Sequence, residues 1–408
     1  MKLTGPFKQL LTMDNLPEKG PLSDDQLEII PDAGILHREG KIIATGNFNQ
    51  MKEQYATTTI EWLEGDYVGL PGIIDTHTHI CWAGSRANDY ALRQSGKSYL
   101  EIADMGGGIW DTVLKTREAT LEELAELTEQ RAGKLLKLGV TTIEVKSGYG
   151  LSVEFELKIL EAIAYANKRC MADLIPTCLA GHILPKDFVG NETDYLELII
   201  KKLLPEIKRL KLADRVDIFV EKSAFSIPAA KSYLSKAKEM GFDIVLHGDQ
   251  FSTGTATLAI EMNAVSIDHL EAADVNEISI LAKGNVIPVV LPGASLGLGE
   301  PFAPARKLLD AGTSLVIASD WNPGSAPMGN LLVEAAVLGA REKLTMAEVW
   351  AGLTCRAANA IRKTDRGILK HDYLADIIAF KTNEYKEILY RQGQLTAGMI
   401  WKNGEIVN

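Results

Sequence analysis

PGIIDTHTH (residues 71–79) runs from a Pro-Gly pair through two isoleucines into Asp75, His77 and His79. A short apolar run closed by a polar, imidazole-bearing tail reads as a buried strand whose carboxyl end carries chemistry. On extended backbone, His77 and His79 are two residues apart and share one side of the strand. Both nitrogens then reach one metal ion at about 2.0–2.1 Å. An isolated His-x-His is a weak signal, so its weight comes from what lies around it.

Outward from this stretch, β-like runs alternate with helical patterns from about residue 68 to 350. The strand candidates are 72–76, 141–146, 174–179, 216–221, 243–247, 264–269, 286–291 and 315–320. Most are short, rich in Ile and Val and not strictly alternating, as expected of parallel strands covered on both faces. Helical patterns fill 121–138, 153–168, 195–209, 229–240 and 303–311, the first opened by a Thr120-x-x-Glu123 capping box. Eight strands alternating with helices is the count of a (β/α)8 TIM-type barrel. A doubly wound open sheet is the alternative, disfavoured because no G-x-G-x-x-G follows the first strand.

The flanks differ in style. Strand-like pieces at 33–37, 41–44 and 58–61 precede the barrel, and 375–381 and 398–402 follow it, with Asn403-Gly404 as a hairpin turn. We therefore expect a small β-sandwich domain assembled from residues 1–67 and 362–408 around a barrel spanning 68–361.

Composition sets the remaining bounds. With 408 residues, 46% hydrophobic and 24% charged, the chain is ordinary globular material. Its 43 basic against 54 acidic residues leave a net charge of −11, which argues against nucleic acid or an anionic membrane as partner. A small anionic substrate remains compatible, because one local arginine outweighs the global field. Four scattered cysteines form neither a disulfide framework nor a thiolate zinc knuckle. The start lacks a signal-peptide apolar core, and no run approaches the roughly 18 apolar residues of a membrane span. The expectation is a cytoplasmic protein.

Five of the seven histidines fall at or just after strand ends: His77, His79, His182, His247 and His269. Asp320 closes the eighth strand. In an α/β barrel those carboxyl ends converge on one face. His77, His79, His247 and Asp320 make a three-nitrogen, one-oxygen set that suits zinc or iron and leaves room for a water. His37 and His371 lie in the flanks and read as structural or solvated.

The P-G-x-x-D-x-H-x-H pattern at this position resembles the amidohydrolase superfamily of metal-dependent barrel hydrolases. The resemblance extends through GSRANDY (84–90), KSYLEI (97–102), GGGI (106–109), EVKSGYGL (144–151), HGDQ (247–250), SIDHLE (266–271) and SDWNPGSAP (319–327). These match the branch that opens the ring of 4-imidazolone-5-propanoate to N-formimidoyl-L-glutamate in histidine degradation. The resemblance implies one divalent or trivalent metal ion, zinc or iron, held by His77, His79, His247 and Asp320. The metal activates a water and polarises the ring carbonyl. Asp320 is expected to accept the water proton, and His269 to orient the water or shuttle a proton. Arg86 offers a bidentate fork to the propanoate. By resemblance Tyr99, Tyr149, His182, Asn322, Gly324 and Ser325 line the substrate pocket, and a homodimer is implied.

Two departures stand out. Gln250 occupies a position where some relatives carry Glu; it cannot serve as a base, but it can hydrogen-bond the ring. The segment 293–302 is glycine-rich where many relatives carry aromatics. Its Gly293-Ala-Ser295-Leu-Gly297 matches the serine-hydrolase elbow literally, yet reads as a loop rather than a strand-to-helix turn. Gly106–Gly108 lacks the Lys-Ser/Thr of a phosphate-binding loop. Lys222, after strand four, leaves open a second, lysine-bridged metal, as in binuclear relatives, although a solvated lysine is the simpler reading. Lys146 reads as an ion-pair partner for Glu144 or a neighbouring carboxylate. The competing functions are another mononuclear or binuclear amidohydrolase, such as a deaminase or cyclic amidase, and a non-catalytic scaffold. The presence of all four ligands argues against the scaffold.

Overall fold

The structure, a computed structural model, describes residues 1–97, 101–102 and 105–407, so Tyr99 lies outside the described residues. Eight parallel strands form the barrel: Ile73–Asp75, Val140–Lys146, Asp173–Gly181, Arg215–Val220, Asp243–Gly248, Ser266–His269, Ile287–Val290 and Val316–Ile317. Each is hydrogen-bonded to the next in sequence order. All eight coincide with the runs read from the sequence, with ends shifted by a few residues. Their buried faces are dominated by Ile, Val and Leu, which explains why the pattern lacked alternation.

Among the described residues the first and eighth strands share no regular ladder. The ring closes just beyond their carboxyl ends, where Thr78 and Trp321 form a parallel bridge. There Asp320 N donates to His77 O at 3.0 Å, and His79 N donates to Trp321 O at 3.0 Å. The seam of the barrel and the chemistry-bearing segment are thus the same backbone.

The capping box forms as read, with Thr120 Oγ1 accepting from Glu123 N at 3.1 Å and Glu123 Oε2 from Thr120 N at 2.8 Å. The pattern at 195–209 is not one α-helix. It is Glu192–Leu198, a π-helical turn at Ile199–Leu203, and Leu204–Leu210. Pro205, which lacks an N–H and so cannot continue the regular hydrogen-bond ladder, sits directly after the π-helical turn.

The expected loop at 293–302 is corrected in its first part: Pro292–Leu298 is a short helix directly after the seventh strand, and 299–302 is irregular as expected. Pro292 pre-sets its first turn. Its glycines serve close packing rather than a turn. A Cβ on Gly293 would meet Ser319 O at 2.2 Å, and one on Gly297 would meet Ser325 O at 1.8 Å. The helix is pressed against the segment that carries Asp320.

The terminal segments form one continuous eight-stranded sheet with its own core, in which Phe7 packs on Trp401 with ring centroids 6.1 Å apart. Val68–Pro71 is a strand of this sheet, so the chain changes over to the barrel at Gly72. The ten-residue strand Lys2–Leu11 is missing from the pieces read from sequence, because Gly5 and Pro6 interrupt the alternation and shift the register. Asn403 and Gly404, with φ of 52° and 75°, form the expected hairpin turn. Lys402 ties sheet to barrel, with Nζ 2.7 Å from Asp376 and 2.8 Å from Asp173. Among the described residues, no helix is long and apolar enough to cross a membrane.

Candidate metal centre

At the carboxyl end of the barrel, His77, His79 and His247 form a buried set whose ligand atoms all lie within 4.8 Å of one another. His77 and His79 Nε2 are 3.3 Å apart, and His79 and His247 Nε2 are 3.5 Å apart. Asp320 Oδ1 stands 3.4 Å from Nε2 of both His77 and His79. Four ligands placed tetrahedrally at about 2.0–2.1 Å from one centre would stand about 3.3–3.4 Å from each other. The three imidazoles and the Asp320 contacts to His77 and His79 match this spacing and fit a single metal ion, with Asp320 lying to the side away from His247 and outside the set whose ligand atoms are all within 4.8 Å of one another.

The tautomers fit as well. His77 Nδ1 is 2.7 Å from Asp268 Oδ2, and His247 Nδ1 is 2.9 Å from Asp217 Oδ2. A proton on His77 Nδ1 leaves its Nε2 lone pair facing inward, the orientation ligating histidines need, whereas His247 Nδ1 stands at ion-pair distance from Asp217 without a hydrogen bond. Burial pushes His79 and His247 below the ordinary imidazole range, which favours the neutral, ligating form. His77 behaves differently. Burial and Lys146 oppose its charge, yet hydrogen bonds to Asp268 and Asp320 raise it to about 9. In the metal-free site His77 is thus the imidazole that holds a proton.

Asp320 is positioned by local chemistry. Asp75 accepts from Ser319 N at 3.1 Å and from Ser319 Oγ at 2.5 Å, fixing the residue before it. Asp320 itself has φ of 55°, a left-handed conformation that Asp tolerates. Burial alone would raise its carboxyl, but hydrogen bonds from His77 and His79 hold it well below the usual range. Beyond it, Asn322 organises the loop: Nδ2 donates to Asp320 O at 2.7 Å, and Oδ1 accepts from Gly324 N and Ser325 N, both at 2.8 Å. Its amide is thus committed to the loop, whereas Ser325 Oγ reaches Asp320 Oδ2 at 3.3 Å.

The other sequence-derived residues gather around this centre. His182 stacks on His79, with centroids 5.4 Å apart, and Nδ1 contacts Gly148 O at 3.0 Å. Burial, reinforced by His79, pushes His182 down to about 3, so its ring stays neutral. Tyr149 lies 5.9 Å from the His79 ring. Burial, with Asp320 nearby, pushes its phenol well above the ordinary value, so it remains a hydrogen-bond donor. The turn bearing it is firmly held, since Glu156 accepts from the N–H groups of Gly148, Gly150 and Leu151. His269 lies 5.3 Å from the His247 ring. Strand alternation would put Asp268 and His269 on opposite faces, but the positive φ of His269 (89°) and Leu270 (72°) turns both toward His77.

Gln250 stands farther out. It lines a cavity of about 220 Å³ with Glu271 and Ser295, and Glu271 Oε1 is 3.3 Å from His269 Nδ1. Ser295 is buried on its helix with Oγ unpartnered, so no histidine activates it as a nucleophile. Arg86 lies at the rim: Nη1 is 3.5 Å from the position a Cβ on Gly324 would occupy, and Nε is bonded to Asp89. Asp89 also accepts from Gly108 N at 2.8 Å, and in the triple glycine Gly106 and Gly108 have positive φ while a Cβ on Gly107 would meet Asp89 Oδ1 at 2.5 Å. Lys222 is exposed and outside the histidine cluster. Lys146 pairs with Glu144 at 2.9 Å, as read, but also reaches Asp217 and Asp268. The two carboxylates behind the ligands, Asp217 and Asp268, escaped the sequence reading. The available signal was Asp268 directly preceding His269.

Residues 100–408 match the model of the amidohydrolase family. In overall fold the chain is similar to the zinc complex of an atrazine chlorohydrolase from Arthrobacter aurescens TC1 (17% identity, 100% of this chain and 95% of that one, TM-score 0.68). It is likewise similar to guanine deaminase from C. acetobutylicum with bound guanine (14% identity, 100% of both chains, TM-score 0.69). The protein is an amidohydrolase-family barrel with a metal site. It is also 38% identical over 404 residues to the imidazolonepropionase of Bacillus cytotoxicus (strain DSM 22905 / CIP 110041 / 391-98 / NVH 391-98), covering 98% of this chain and 94% of that protein. The chain belongs to the imidazolonepropionase family.

Proposed function

We propose that the protein is an imidazolonepropionase, hydrolysing a ring C–N bond of 4-imidazolone-5-propanoate to give N-formimidoyl-L-glutamate. Kinship supports the substrate, and the observation that carries the chemistry is the buried cluster of His77, His79 and His247, with Asp320 3.4 Å from both His77 and His79. We assign these four as ligands of one zinc or iron ion, since three imidazoles and a carboxylate suit both. When bound, it supplies an activated water and a Lewis acid for the ring carbonyl.

The chain's own groups do the rest. Asp320, ionised and hydrogen-bonded by Ser325 Oγ, takes the proton released as water oxygen adds to the carbonyl carbon. His269, backed by Glu271, is placed to carry a proton to the departing ring nitrogen. Tyr149 donates, His182 offers a neutral Nε2, and Gln250 contributes its amide from the cavity wall. Gly324 and Ser325 present loop backbone and hydroxyl beside Arg86. Tyr99 is assigned to the pocket by resemblance. We read the working protein as a cytoplasmic homodimer acting on a small anion, with neither nucleic acid nor membrane as partner; the net charge of −11 argues against those two partners and leaves a small anion held by Arg86 compatible.

Arg86 provides a first prediction. A charge-assisted hydrogen bond contributes about 1.5–3 kcal/mol. Arg86→Ala is therefore expected to raise KM roughly ten- to hundredfold with a smaller change in kcat. Steady-state kinetics check this, and an unchanged KM would hand the carboxylate to another group. The function itself is tested by supplying freshly generated 4-imidazolone-5-propanoate to metal-loaded protein beside a chelated control. Metal-dependent appearance of N-formimidoyl-L-glutamate is the expected result. A metal-loaded but inactive protein would retain the hydrolase site and overturn the substrate.

A further inference from the structure

Beneath the ligands, the barrel interior is polar where such barrels ordinarily carry apolar layers. Glu144 and Lys146, two residues apart on one strand, share its inner face, and both are completely buried. Lys146 Nζ lies 2.9 Å from Glu144 Oε1, 2.8 Å from Asp217 Oδ2 and 3.5 Å from Asp268 Oδ2. The same Asp217 and Asp268 oxygens contact His247 Nδ1 and His77 Nδ1.

We propose that Lys146 is a positioning residue for the metal site: its single ammonium bridges the two carboxylates that orient His77 and His247. The inference rests on the metal-site reading, not on the identity of the substrate. Asp217 and Asp268 come from different strands and have little else to hold them at a fixed separation. Asp268 has one further partner, Ser266 Oγ at 2.7 Å, while Asp217 Oδ1 is unpartnered. A shared cation sets both at once, and through them the ring orientation and tautomer of ligands from strands one and five. Without it, two buried carboxylates lose their shared cation and keep only their histidine contacts and, for Asp268, Ser266 Oγ, which the interior accommodates by rearranging. Burial opposes a charged lysine here, but Asp217 and Glu144 raise its value well above the ordinary lysine range, so it stays cationic.

A purely structural role would lower stability and leave metal affinity alone. The test is Lys146→Met in the full chain, with cobalt(II) and zinc affinity measured by competition against a chromophoric chelator. The cobalt absorption spectrum and the melting temperature of the metal-stripped protein are recorded alongside. We expect affinity to fall on the order of 10- to 100-fold, as for other outer partners of metal ligands, with a displaced cobalt band. In an Asp268→Asn background, Lys146→Met is expected to cost much less than in the wild type, because part of its path is already cut. Affinity within threefold of wild type, or full additivity in the double variant, would overturn the proposal whatever happens to stability. Should Lys146→Met fail to fold, metal-stripped wild-type protein decides. The Nδ1 protons of His77 and His247 are expected to remain protected from solvent exchange without metal. Rapid exchange at both would remove the preorganised frame. None of these readouts requires turnover, so a wrong substrate leaves them intact.

Discussion

Replacement of Asp320 by Asn is expected to lower kcat by a thousandfold or more while the protein stays folded. Three consequences of the geometry combine. Proton transfer by a placed carboxylate contributes about 10²–10⁴-fold, and an amide cannot perform it. The Oδ1 that stands 3.4 Å from both His77 and His79 Nε2 becomes a neutral carbonyl or an N–H₂ group, a poorer ligand either way. Ser325 Oγ, 3.3 Å from Oδ2, loses its ionised acceptor. The fold should survive because Asn adopts the left-handed φ of 55° as readily as Asp, whereas Ala would add backbone strain. Circular dichroism and kcat for purified Asp320→Asn check this. Turnover within tenfold of wild type would remove Asp320 from proton transfer and pass that role to His269 with Glu271.

Much of this arrangement was legible before any coordinates, for specific reasons. The barrel strands are short β-branched runs bounded by Gly and helical patterns, so their number and order could be read directly. The proposed ligands could be read because barrel topology converts "end of a strand" into "same face", and His77, His79, His247 and Asp320 all sit at such ends. What escaped belongs to tertiary context. Asp217 lies within a strand that otherwise reads as buried and apolar, and the Lys146 ammonium 2.8 Å away, with His247 Nδ1 at 2.9 Å, makes its charge tolerable. Asp268 and His269 reach the same centre only because two consecutive residues adopt positive φ, a break in alternation that no residue type announces. The glycines at 293 and 297 read as loop formers because Gly does not reveal which of its two properties is in use. Here it is the missing Cβ, since Ser319 O and Ser325 O approach to 2.2 and 1.8 Å of where one would be. The mistaken loop and the missed carboxylates thus share a cause: each depends on a neighbour distant in sequence.

Removal of the metal is expected to abolish activity and lower the melting temperature, with both restored by one equivalent of zinc or ferrous iron. Three buried imidazole nitrogens within 4.8 Å of one another, with Asp320 3.4 Å from two of them, repel one another unless a cation or proton stands between them. In the stripped protein His77, raised to about 9, carries the proton that takes over part of this role. Proton and metal compete for the same nitrogen, so lower pH should favour stripping and higher pH reloading. The competition also implies that the empty site keeps its shape well enough to be refilled, which makes restoration as informative as loss. A ligand at a thousand times its dissociation constant stabilises the folded state by about 4 kcal/mol. A fall of several degrees in melting temperature is accordingly expected, measured by scanning calorimetry with metal content followed by elemental analysis. A protein stripped of metal that neither loses activity nor melts earlier would mean that the histidine cluster is structural. A protein that melts earlier, yet shows no activity before or after reloading, would instead be a metal-binding scaffold that has kept the site and lost the reaction.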